Sequence, residues 1–403
     1  MSRQPPDPPA WPWASSYRPK YESAYARWGN AVDRYLHYTE KGDPLADAVI
    51  HDLATLPPAE GQKLLTRAIE HGIQTVPEAP QSLRNFFEEV DGVPIWVDWN
   101  ELRDGCDCFL HNADIFLMSF VAYVLPIGFG TNINKCFHLT GRVTQLGVNR
   151  LKANNRQLVE SFMIDGLRRR GDGFKLTLRV RLVHAQVRRL LLHSPEWNRA
   201  AWGLPLSAAH MAYAYSAFSA MLLKNAIRMG AEVPPHWRRG FMANWKYQAF
   251  LMGIPAEFLT TDPDFGVRTQ QVGWSIEPDP DEEARIIVHS MINSAPVVGG
   301  IEDPVQRRNT AQLIFNVSRT LVGDPIADQL AYPRFKRPIS LNLLRLKLRG
   351  RQLLAQILPG GRDRMRLQNL ETLFNVSQFK RAGFMDFALP QKVKGWIQRV
   401  DDS

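Results

Sequence analysis

Apolar positions along most of the chain recur every three or four residues, the period of a helix that turns one face to a core. Val180, Val183, Val187 and Leu191 form such a stripe, and His184 falls on it. The spacing predicts a helix that starts after Gly171 and Gly173 and ends near Ser194, because Pro195 disfavours helical geometry in the residue before it. Trp28, Val32, Tyr35 and Leu36 repeat the pattern, as do Ala46, Val49, Ile50 and Leu53, then Leu64, Leu65 and Ile69. Residues 115–125 are nearly all apolar, too short a run to span a bilayer, and read as a buried helix broken by Pro126, Gly128 and Gly130. Residues 207–221 are rich in alanine and serine and predict a helix packed closely against another. Only residues 90–98 alternate like a strand, and as a lone short run they read as an extended connector. Residues 260–280 are polar and read as a loop. Many helices and almost no strands make the expected class all-α.

Composition changes this picture at the ends. The first 19 residues hold Pro5, Pro6, Pro8, Pro9, Pro12 and Pro19 around Trp11 and Trp13, a flexible arm that builds no core of its own, ahead of a single domain over residues 20–403. From Pro333 onward cations such as Arg345, Lys347, Arg349 and Arg351 interleave with leucines, a mixture that suits an ordinary surface helix or peripheral contact with an anionic membrane. The formal charge of +9 is spread over helix faces without a nucleic-acid motif, so no nucleic acid is expected. Cys106, Cys108 and Cys136 lack disulfide-framework and zinc spacing and read as buried thiols. With no apolar leader at the start of the sequence, the expected location is cytoplasmic. Oligomeric state is not legible.

Three readings of His184 stand on periodicity alone. It is a core histidine with satisfied ring nitrogens, a catalytic acid or base, or an iron ligand whose neighbours Arg181 and Arg188, three before and four after it, pair with the propionates of a haem. His210 is the other histidine considered near such a site, with local satisfaction the simpler reading. Phe116, Phe120 and Phe129 suit core packing, and in the family that residues 179–188 resemble this region helps to wall the haem pocket, which makes them equally candidates for its lining.

The stretch from Arg179 through His184 to Arg188 resembles the haem-ligand helix of the latex-clearing-protein (rubber oxygenase) and endoplasmic-reticulum-bound oxygenase superfamily. Upstream, Thr140 to Thr144, Val148 to Leu151 and Leu158 to Met163 are similar to that family's preceding helix, with Arg150 at its characteristic arginine. Downstream, Trp202 to Pro205 with Met211, then Trp245 to Tyr247 and Gly253 to Pro255, follow in the family's order and spacing. The resemblance implies a globin-like helical core with additional helices, haem b with its iron held by His184, and Arg150, Arg181 and Arg188 as further cofactor-binding residues. It also implies a haem-dependent oxygenase that takes O₂ or peroxide and a lipophilic small-molecule substrate. Arg150 and Asn154 are the candidate catalytic residues.

The chain also departs from the pattern. Rubber-cleaving members carry a lysine and a threonine where Ala153 and Asn154 stand here, and a glutamate near the position of Asn134. A divergent member without that distal set need not cleave rubber. A peroxidase-like or desaturating enzyme of a natural-product pathway, and a haem-binding carrier, sensor or helical scaffold, are the alternatives.

Overall fold

The computed structural model describes residues 11–140 and 147–377, and within them all regular structure is helical. Several helix starts are written locally. Asp43-Pro44, Asp262-Pro263 and Asp303-Pro304 each place an aspartate whose side chain accepts from a backbone N–H of the first turn, followed by a proline already set at the helical φ. The second of these opens the helix Pro263–Ile276 inside the stretch expected to be a loop. Its buried face uses Gly266, Gln270, Val272, Gly273 and Ile276, mostly small or polar residues, so it leaves little apolar stripe to detect.

The core is built around crossing helices. Trp99–His111 presses on Pro235–Leu251 where Gly105 meets Gly240, since a Cβ on Gly105 would lie 2.3 Å from the Gly240 carbonyl oxygen. Beside this crossing Phe109, Phe162, Phe241 and Phe116 stack in turn, with centroids 4.8, 5.0 and 4.9 Å apart. Phe116 and Phe120 are therefore core residues and not wall residues of a pocket. The long helix Asp172–Leu192 is buried over most of its circumference. It packs on Gly147–Ser161, on Pro44–Leu53 and on Pro235–Leu251.

Two widened π-type turns interrupt helices in the centre. The run read as one buried helix is Ala113–Ser119, then the wide turn Phe120–Val124, then Leu125–Phe129, so Pro126 ends no helix. The second wide turn, Ala217–Met221, joins Ala208–Ser216 to Leu222–Met229 and packs against the first.

Both ends of the described span are anchored on the body. Trp11, Trp13 and Tyr21 form an aromatic cluster with centroids 5.1–5.8 Å apart. Tyr17 is fully buried, so the part of the proline-rich arm from residue 11 is docked on the body. At the other end Leu341–Ile357 and Gly361–Ser377 pack together. Asn369 donates to the carbonyls of Leu110 and His111, and Gln352 donates to Asn112, so these helices satisfy the open end of Trp99–His111.

Candidate functional site

His184 faces a cavity of about 220 Å³ enclosed by the helices around Asp172–Leu192. For scale, an apolar cavity of ~150 Å³ in a protein core holds benzene. Val180, Val183, Phe129, Ile133, Phe218 and Met252 supply apolar wall, and both π-type turns contribute to it through Val124 and Phe218. Such turns relocate side chains by breaking the helical repeat, and they often occur at functional sites. Among the described wall residues His184 is the one imidazole, and no carboxylate or cation accompanies it.

Polarity on the wall comes from amides. Helix Gly147–Ser161 contributes Asn149, Ala153, Asn154 and Gln157, positions that share one helical side. Gln248 adds a further amide whose orientation its neighbours decide. The single hydroxyl proton of Ser161 goes to the Gln157 carbonyl at 2.7 Å, so Gln248 Nε2 must donate to Ser161 Oγ, also at 2.7 Å. Gln248 Oε1 is then left without a partner among the described residues, as is Trp245 Nε1 three residues earlier. Both atoms are fully buried and open onto neither solvent nor the cavity. Tyr215, also on the wall, turns its hydroxyl away to the Thr260 carbonyl at 2.7 Å.

Arg181 and Arg188 do not reach this cavity. Arg181 is held by Asp43 through Nε at 2.6 Å and a second nitrogen at 3.0 Å, and by Glu89 at 2.9 Å. Burial alone would lower its pKa, but Asp43 and Glu89 hold it above the ordinary value. Arg188 pairs with Asp47 at 2.8 Å and donates to the Leu206 carbonyl at 2.6 Å. Behind His184, between the two arginines, the remaining void is about 10 Å³, room for one water and not for a propionate. Both residues thus bracket the His184 helix in this structure through their carboxylate partners. Gly253, at φ +74°, makes the turn beneath the Arg181–Asp43 pair, where a Cβ would lie 2.5 Å from either partner.

The remaining candidates separate clearly. Asn154 is on the wall with Ala153. Asn134 is buried off the wall and donates to the Thr131 carbonyl. The side chain of Arg150 lies outside the described residues, as do residues 141–146 of the upstream block. His210 is satisfied locally, by Ser207 Oγ at 3.1 Å and the Glu277 carboxylate at 3.2 Å. The three cysteines are buried and free, and burial pushes the thiols of Cys106 and Cys136 up to about 12. No cluster of three or more metal-ligating side chains occurs among the described residues. Asn149, Gln157, Trp245 and Gln248 were not singled out as site residues. The recurrence of amides along residues 149–157 was the signal for the first two.

The catalytic domain described as ER-bound oxygenase mpaB/B′/rubber oxygenase matches residues 147–349, the span that contains His184 and most of the cavity wall. The chain belongs to this family. It is 23% identical over 345 residues to a rubber oxygenase of Streptomyces sp. (strain K30), covering 83% of this chain and 79% of that relative. The fold is similar to a solved structure of latex clearing protein LCP in the closed state, with a TM-score of 0.65 at 16% identity, over 88% of this chain and 95% of that one. The all-α class read from periodicity is thereby established, and the family places the chain among oxygenases.

Proposed function

We propose that this protein is a haem b-dependent oxygenase that acts on a lipophilic small molecule, with His184 as the iron ligand. The observation that carries the reading is the placement of one imidazole on the wall of an otherwise apolar and amide-lined cavity at the centre of the helical core. A haem b site needs a strong donor to iron and apolar surface for the macrocycle, and the wall supplies both types of group, while a cavity of about 220 Å³ would have to widen to admit the macrocycle. Arg181 and Arg188, held by carboxylates behind the helix, do not complete it. Arg150, at the position of the family's characteristic arginine, would be the cation for the cofactor's acids.

When bound, haem iron with an open coordination position binds and activates dioxygen or peroxide. The chain's own residues would do the rest. Asn154 and Gln157 offer amide N–H groups that orient a polar oxygen without moving a proton, since an amide does not titrate near neutrality. Phe129, Phe137 and Phe218 exclude water and receive the lipophilic body of the substrate.

Protein from haem-replete cells should carry a Soret band, and His184→Ala should lose it while keeping the helical circular-dichroism spectrum, because the strong axial donor among the described wall residues is gone. A wild type that stays colourless with ample haem overturns the proposal. A variant that keeps the native Soret band removes His184 as the ligand.

A further inference from the structure

The helix Leu341–Ile357 has two apolar sides, and only one of them is covered. Leu341, Leu344, Leu348 and Gln352 turn toward the body, where Gln352 is buried against Asn112. Leu343, Leu346, Leu353, Leu354 and Ile357 share the opposite side at the three-or-four spacing of a helix. They stay open to solvent, with Leu346 at 70%, Leu353 at 56% and Ile357 at 77% exposure. Leu358, just beyond the end, and Leu367 and Phe374 on the next helix are exposed as well. A ridge of this kind on a folded protein marks a contact surface.

Charge selects the partner. On helical spacing, Arg345 and Arg349 fall on one flank of the ridge and Lys347 and Arg351 on the other, and the helix contains no acidic residue. Lys347 and Arg349 are exposed and make no ion pair with a described residue, whereas Arg351 pairs with Asp114. A second copy seated on the ridge about a twofold axis would set these cations against their own kind with no carboxylate on the helix to meet them. Residues 378–403 of this chain are no better matched, with Lys380, Arg381, Lys392, Lys394 and Arg399 against Asp386, Asp401 and Asp402. An anionic lipid surface meets both requirements, taking apolar side chains into the acyl boundary while lysine and arginine reach back to the headgroups. We infer that Leu341–Ile357 docks this protein peripherally on an anionic membrane through the ridge Leu343, Leu346, Leu353, Leu354 and Ile357. Among the described residues no single helix is long and apolar enough to cross a membrane. The inference stands independently of the haem reading.

The test is co-sedimentation of the full chain with vesicles of phosphatidylcholine and phosphatidylserine, beside vesicles of phosphatidylcholine alone. Binding to the mixed vesicles is expected, weaker at high salt. The triple variant Leu346→Gln, Leu353→Gln, Ile357→Gln should bind at least about tenfold more weakly, since each change removes an apolar side chain from the acyl boundary. Its targets are all exposed, so the fold should hold. As an independent arm, Lys347→Gln with Arg349→Gln should cost about fivefold per charge. Absence of binding to mixed vesicles, or binding unchanged in both variants, overturns the inference. So does a wild-type dimer in light scattering that the triple variant makes monomeric while vesicles are ignored.

Discussion

At the scale of single residues, Arg181 separates a structural role from a cofactor role. Its guanidinium is 3% exposed and bonded to Asp43, Glu89 and the Leu251 carbonyl, so its removal strands a buried carboxylate. Breaking a buried pair from one side costs about 3–5 kcal/mol, much more than an exposed pair is worth. Arg181→Gln should therefore lower the stability of the cofactor-free protein by about 3 kcal/mol in urea unfolding, and Arg181→Gln with Asp43→Asn should recover part of the loss. A single variant of unchanged stability that nonetheless loses haem would restore the propionate role. Family-like segments acquire physical meaning here. Gly253 turns beneath the Arg181–Asp43 pair, and the chain leaving Trp202 to Pro205 brings the Leu206 carbonyl to Arg188. These segments hold the His184 helix in place.

At the scale of elements, a buried carboxylate ties four of them together. Glu277, at the end of Pro263–Ile276, accepts from Tyr35 at 2.8 Å and the Asn132 backbone at 3.0 Å, and meets His210 and Tyr17 from two other helices. Burial pushes its pKa up, but His210, the Asn132 N–H and the Tyr35 hydroxyl together hold it below the ordinary 4.5. A depressed carboxyl contributes stability above its unfolded value and loses it as pH falls through the folded one. Wild type should thus lose stability in acid below about 4.5, while Glu277→Gln should be about 3 kcal/mol weaker at neutral pH and flatter across that acid range. Parallel melting curves for the two proteins would reject this role. Periodicity could locate the His184 helix because its stripe is local, and the Asp-Pro starts are local too. It could not find Glu277's partners, such as Tyr35 at 242 positions away, or Asp43 at 138 positions from Arg181. Nor could it see the wide turns Phe120–Val124 and Ala217–Met221, whose residues are ordinary helix interior by type.

At the scale of the whole molecule, the fold is shared with latex clearing protein while the wall of this cavity differs from the rubber-cleaving pattern. The rubber-cleaving pattern that the sequence resembles puts a lysine and a glutamate on the distal side, groups able to hold or move a proton. Here Ala153 and Asn154 stand on the wall, and Asn134, aligned near the glutamate, is buried elsewhere with its amide on the Thr131 carbonyl. None of the three titrates near neutral pH. A positioned acid or base is worth roughly 10²–10⁴ in rate, so a chain that lacks one at this place should cleave polyisoprene at least about a hundredfold more slowly than a rubber-cleaving relative. The check is incubation with latex under oxygen beside the relative, with carbonyl-ended oligomers as the readout. Product at a comparable rate would mean that a group other than these three handles the proton.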